Sequence, residues 1–302
     1  MRKIFFILLV LTTFFMVHAD VEKLKPYILA GIETGEIENV LTKTETLLTE
    51  NGFSAIGKYS PMQDPNRVVI VATHKLLTDS VEKFGGLHAF AAVIRFGIIK
   101  NGNNIEISYM NPVYWGNAYY RKKFPEVESG YNELNKIIIE MFNSLAEVKN
   151  LPYGSKKGVK IKKLRKYHYM VFMPYFDSVV KLAKKTDYDS VIKKIEKNFS
   201  KKLGGVEKVY RIDFPGKKLT LFGGALYGKK GESKFLPKID KKDPRHVTFL
   251  PYEFLVMKDR VVMLHGKFRI ALSFPDLSMG TFMKIVSTPG NIADYFKDIV
   301  RK

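Results

Sequence analysis

The stretch RVVMLHGKFRIALSF, residues 260–274, decides how the second half of this chain is drawn. Val262, Leu264, Phe268, Ile270 and Leu272 alternate with His265, Lys267 and Arg269, the two-residue period of a strand with one buried and one wet face. Just before it, Lys258 and Asp259 separate the run from YEFLVM, residues 252–257. The spacing predicts a hairpin in which His265 lies opposite Tyr252, with Lys267 and Arg269 on the same polar face. Such a face has the chemistry to hold an anion. A solvated sheet face accounts for the pattern equally well.

Working outward, Val191, Ile192, Ile195 and Phe199 recur at helical spacing, and the pattern stops at Gly204-Gly205. VEKVYRIDF (206–214) and KLTLFGGAL (218–226) read as strands, followed by a lysine-rich loop over 228–244. GTFMKIVSTPGNIADYFKDIV (280–300) predicts one broken helix or two short ones, with the break at Pro289-Gly290, since proline cannot donate a backbone hydrogen bond.

In the first half, Ile37, Val40, Leu41, Thr44, Leu47 and Leu48 predict a helix that stops at Gly52. FSAIGKY (53–59) and RVVIVATH (67–74) read as strands. KNGNN (100–104) joins AFAAVIRFGII to IEISYMNP as a hairpin, because Asn-Gly tolerates the positive φ of a tight turn. Leu134, Ile137, Ile138, Met141, Leu145 and Val148 predict a further helix. Residues 149–166 then hold eight lysines and arginines and no acid, interleaved with Pro152, Gly154 and Gly158. They read as a basic connection leading into an expected strand at YHYMVFMPY (167–175) and are the first place to look for an anionic contact. Each half repeats one order: a helix ending in glycine, two strands, a glycine-containing loop, a hairpin, and a strand-to-helix junction with proline.

Several of these pieces resemble a known group. The opening helix ending in ENGF, the stretch IEISYMNPVYWGNA (105–118), and VTFLPYEFLVMKDRVVML (247–264) are similar to the uncharacterised DUF302, or TT1751-like, domains. The resemblance implies an α+β fold of two similar modules, with helices packed on curled, mostly antiparallel sheets and a tendency of modules to pair. The modules would span residues 20–148 and 167–302, joined by 149–166. The group has no established common reaction, so no site residue comes with it.

YMNPVYWGNAYY (109–120) holds four tyrosines and the only tryptophan. Asn111 is placed to cap a helix that Pro112 begins. Tyr114, Trp115, Tyr119 and Tyr120 then either pack against the sheet or wall a pocket or partner surface. Asn111, Tyr114 and Trp115 therefore join Tyr252, His265, Lys267 and Arg269 as candidate ligand-binding residues.

MRKIFFILLVLTTFFMVHA (1–19) has the basic start, apolar core and small-residue end of a signal peptide, with cleavage expected after Ala19. The expected destination is the periplasm or the exterior, with no transmembrane segment in the mature chain. Without Arg2 and Lys3 the chain carries 48 basic and 30 acidic residues, a net charge of +18. That field favours an anionic small molecule, an acidic protein or an anionic lipid surface; nucleic acid is not expected as a partner, and an oligomer stays open. There is no cysteine, which removes disulfides, thiolate-bound clusters and thiol nucleophiles.

The histidines after residue 19, His74, His88, His168, His246 and His265, form no recognised metal-binding spacing. No cofactor is predicted, though haem or a metal held by residues distant in sequence stays open. The glycine-rich pieces FGGLHAF and LFGGALYGKKGESK lack phosphate-loop order, no Gly-x-Ser-x-Gly elbow occurs, and Glu126 and Glu128 stand alone. Nothing marks the chain as an enzyme. The expectation is a non-catalytic binding module for an anionic small ligand or an envelope partner. The alternatives are a redox or haem/metal protein using His, Met or Tyr ligands, and a structural envelope protein.

Overall fold

A computed structural model describes residues 22–185 and 187–301; the expected signal peptide lies outside the described residues. The chain enters through β1 (Lys23–Leu24) and β2 (Tyr27–Thr34), then α1 (Ile37–Glu50), whose Val40, Leu41, Thr44 and Leu48 bury one helical face. Next come β3 (Phe53–Tyr59), β4 (Arg67–His74), α2 (Lys75–Phe84), β5 (Ile94–Asn101) and β6 (Asn104–Met110). They are followed by α3 (Pro112–Tyr120), α4 (Glu128–Met141) and β7 (Glu147–Tyr153). The strands form an antiparallel sheet in the order β3-β4-β5-β6-β2-β7. Asn101 pairs with Asn104, so Gly102-Asn103 closes the hairpin that the Asn-Gly signal predicts.

Beyond β8 (Val159–Lys160), which pairs with β1, and α5 (Ile161–Leu164) comes a second series. It comprises β9 (Val180–Lys184), α6 (Tyr188–Ser200), β10 (Val206–Phe214), β11 (Leu219–Leu226) and α7 (Glu232–Ile239). It continues with β12 (Tyr252–Met257), β13 (Arg260–Met263), α8 (Gly266–Ser273), α9 (Met279–Met283) and α10 (Thr288–Arg301). This sheet is antiparallel in the order β10-β11-β12-β13-β9. Matched in chain order, these five strands lie in the sequence of β3-β4-β5-β6-β2, and both first-edge strands carry an irregularity in register at the same place.

The expected fold of two modules with curled sheets is corrected in two respects. Each sheet is open, running from one edge strand to the other without return, so none is closed or strongly curled. The buried apolar side chains also form one continuous core through both series. Two short 3-10 turns interlock the series: Gly86–Ala91, before β5, lies against β11 and β12, and Val247–Phe249, before β12, lies against β4, β5 and β6. The second approach needs Gly97 on β5, where a Cβ would stand 2.6 Å from Val247 Cγ1.

Three local expectations also change. Residues 260–274 are a strand only to Met263; from Gly266 they are helix. Residues 149–153 belong to β7, and 167–175 form turns where a strand was expected. Pro289 lies in the first turn of α10, where a missing N–H costs nothing, and the interruption falls before it.

Candidate functional site

The helix start explains where the expected anion face went. The His265 ring accepts a hydrogen bond from the Lys267 amide at 3.1 Å through Nδ1, capping α8. Positions 267 and 269 share a face in a strand, but in a helix they lie about 200° apart. Lys267 accordingly stays part-exposed and Arg269 is buried. Tyr252 is buried on β12, and its ring faces the Arg269 guanidinium at 5.8 Å. The four residues therefore form no common polar face. His265 and Lys267 instead border an open depression of about 670 Å³ beneath a loop that includes Val171–Tyr175 residues.

Arg269 belongs to an internal charge cluster. Its guanidinium meets Glu253 Oε2 at 2.8 Å, donates to the Tyr119 hydroxyl at 2.9 Å and to the Phe249 carbonyl at 2.6 Å, and sits 5.8 Å from the Trp115 ring. Burial works against its charge, but Tyr119 and Glu253 more than offset that and hold its pKa above the ordinary value. The other Glu253 oxygen takes Arg95 and the Tyr210 hydroxyl. Arg95 and Glu253 are each the second residue of a matched strand, β5 and β12. Trp115 and Arg269 each stand four residues after a matched cap, Asn111 and His265. The junction is thus built from corresponding positions that carry complementary groups.

Asn111 and Tyr114 have similar structural employment. Asn111 Oδ1 accepts from the Val113 and Tyr114 amides at 3.1 and 3.3 Å, and its amide nitrogen donates to the Lys25 carbonyl at 2.9 Å. The Tyr114 hydroxyl donates to the Leu272 carbonyl at 2.8 Å, and the Trp115 indole donates to the Pro26 carbonyl at 2.8 Å. These three side chains tie α3 to α8 and to the entering chain.

The better-formed site is a cleft of about 560 Å³ between the end of β7 and the end of α7. Its wall draws Lys25, Lys156, Lys238, Lys241 and Lys242 from three separate segments. Lys156 comes from the basic connection; the last three come from the stretch expected as a lysine-rich loop, where Lys238 instead lies in the last turn of α7 and Lys241 and Lys242 follow it. Both segments were legible as basic; that they meet was not. Among the described residues none of the five forms a salt bridge, and Lys238 donates to the Lys284 carbonyl at 3.1 Å.

Three aspartates share the cleft. Asp243 pairs with Arg245 at 2.8 Å, and Asp276 accepts from Ser155 Oγ and the Lys156 amide at 3.0 and 2.6 Å. Asp240 differs: Oδ1 accepts the His246 amide at 2.9 Å, while buried Oδ2 has no hydrogen-bond partner. Burial raises Asp240 to about 6, against the pull of that amide and Arg245. His246 is pushed down to about 4 by burial, its Nδ1 lying 3.2 Å from the Ser273 carbonyl and its ring stacked on Phe274 at 4.5 Å. The neutral ring donates through Nδ1 there.

The remaining histidines are engaged separately. His74 caps α2, His88 stacks on Tyr120 at 4.9 Å, and His168 stacks on Tyr175 at 4.2 Å. Among the described residues no group of three or more His, Asp or Glu side chains is placed to hold a metal ion. No helix among them is long and apolar enough to cross a membrane.

No family model matches the chain, and no curated protein matches it. Among solved structures it is similar to an uncharacterized conserved DUF302 protein from Bacillus stearothermophilus, at 12% identity and a TM-score of 0.34. The match covers 39% of this chain and 95% of that one, a weak and partial likeness to a DUF302-like fold that carries no argument about two copies or about function.

Proposed function

We propose that this chain binds a small anion bearing a hydrogen-bond donor, such as a hydroxy or amino acid, in the lysine-rimmed cleft. The observation behind the reading is that five lysines, none in a salt bridge among the described residues, share the wall of one cleft with Asp240, whose buried Oδ2 has no hydrogen-bond partner. The lysines attract the anionic end; Asp240 Oδ2 accepts a hydrogen from the donor, since a buried acceptor left bare costs stability. Export with cleavage after Ala19 is part of this reading, and the mass of the protein recovered from its host tests it: an intact Met1 sinks the cleavage.

Binding is tested by thermal unfolding with citrate and tricarballylate as probes. A ligand at a hundred times its Kd stabilises the fold by about 2.7 kcal/mol. Citrate, which carries a hydroxyl donor, raises the melting temperature more than tricarballylate, the same tricarboxylate without the hydroxyl. Lys241→Glu/Lys242→Glu abolishes the rise without lowering the unliganded melting temperature. A full shift in that variant, or no shift with either probe, overturns the assignment.

A further inference from the structure

A second feature lies outside the cleft. Residues 167–176 form a loop with two buried feet and an exposed apolar tip. At one foot the Tyr167 hydroxyl donates to the Ala271 carbonyl at 2.7 Å; at the other, Phe176 packs 5.4 Å from the Tyr119 ring and 6.0 Å from Phe268. Tyr169 adds a hydrogen bond to the Leu277 carbonyl at 2.7 Å. Between these anchors the Met173 amide bonds the Met170 carbonyl at 3.0 Å, closing a turn with Phe172 at φ +67°. The turn presents Val171 at 71% exposure and Phe172 at 98%, with Met170 beside them. A phenylalanine is rarely held this far into water, and here the loop's own feet hold it there.

The surroundings are cationic. Lys162, Lys163 and Lys166 are exposed on the segment entering the loop. Arg121 lies 6.0 Å from the Tyr175 ring, Lys122 and Lys123 follow it on the surface, and Lys267 lines the depression beneath the tip. Between residues 161 and 181 the single acid is Asp177, which pairs with Arg121 at 3.3 Å.

We infer that this loop docks the protein on an anionic lipid surface, with residues 170–172 entering the headgroup–acyl boundary and the lysines meeting lipid phosphates. A convex tip of three apolar side chains ringed by cations fits a deformable, negatively charged plane, where shallow insertion and charge attraction act together. The attachment is peripheral, and it does not depend on what occupies the cleft.

The test is co-sedimentation of the chain recovered from its host with vesicles of phosphatidylglycerol and phosphatidylcholine in equal parts, and with phosphatidylcholine alone. Binding is expected on the anionic vesicles, falling as salt rises. Val171→Ser/Phe172→Ser lowers the partition coefficient about tenfold or more at an unchanged melting temperature. In a second measurement the Phe172→Trp emission shifts to the blue when anionic vesicles are added and is quenched by lipids brominated near the headgroup, whereas Trp115, buried in the protein, responds to neither. Equal partitioning of the serine variant reduces the effect to general charge attraction and overturns insertion. Absence of binding to the anionic vesicles, or equal binding to the neutral ones, overturns the docking surface.

Discussion

The starts of α3 and α8 occupy matched places, each following the strand that pairs with the first matched strand of its series, β6 with β2 and β13 with β9, yet their sequences share almost nothing. Asn111-Pro112 opens a helix of aromatic residues; His265-Gly266 opens one whose polar and apolar residues alternate. Both begin with a side chain that accepts a hydrogen bond from a backbone amide two residues on. The difference teaches that a capping group can end a strand inside an alternating run. It also shows that the junction relies on unlike partners at like positions, Trp115 beside Arg269 and Arg95 against Glu253.

The sharpest way to break this comparison is Glu253→Gln. It leaves two buried guanidiniums without a carboxylate and is expected to cost about 3–5 kcal/mol in denaturant unfolding. Arg95→Met leaves a neutral Arg269–Glu253 pair and is expected to cost less than half as much. Equal losses would mean that Glu253 is not the centre of the cluster.

Two buried titratable groups respond oppositely to pH. Glu232, which accepts from the Met62 and Leu226 amides at 3.0 and 3.1 Å, is raised to about 7 by burial. Its folded form holds a proton more tightly than the unfolded chain, so its contribution is present below pH 4.5 and lost as pH rises through 7. His246, depressed to about 4, contributes above pH 6.5 and is lost as pH falls through 4. Each swing is about 3 kcal/mol by conversion of the shift. Because the two windows overlap and oppose each other, unfolding free energies measured between pH 4 and 7 should rise with pH more steeply in Glu232→Gln than in the parent, and fall with pH more steeply in His246→Phe; an unchanged profile refutes the corresponding assignment.

Gly97→Ala tests how closely the Val247–Phe249 turn must lie. Its Cβ would meet Val247 and Thr248, and a cost of about 1–3 kcal/mol is expected. A neutral substitution would show that the turn yields. The caps themselves give the smallest effects. Asn111→Ala should cost about 1 kcal/mol and His265→Ala less, because Asn111 serves two amides and also holds the Lys25 carbonyl. The reverse ranking, in the same unfolding measurement, would make the histidine the stronger cap.

Much of the local structure was legible because it follows short-range rules. Asn111-Pro112 announces its cap, Gly102 its turn, and the β-branched run of β4 its strand. β2 and β9 were less legible: Gly31 interrupts one beside a register shift, and alternating lysines dilute the other. The failure at residues 264–274 has a physical cause. Alternation and helical burial predict the same residues until a cap fixes the angle between them, and a histidine is a weak advertisement for a cap. For the cleft, the basic segments were visible but their meeting was not, because nothing local links Lys156 to Lys241. Asp240 had no sequence signal, since its chemistry comes entirely from burial.

The opposed charges at positions 95 and 253 act as an address. If the two series were supplied as separate polypeptides, a first series meeting its own copy across this face would set arginine against arginine, whereas the second brings Glu253 already paired with its own Arg269. Like charges buried together are strongly disfavoured, whereas the mixed pairing gives Arg95 the Glu253 carboxylate. Recombination from fragments would therefore hold the first series to the unlike partner and reject its self-association, a discrimination written into one ion pair.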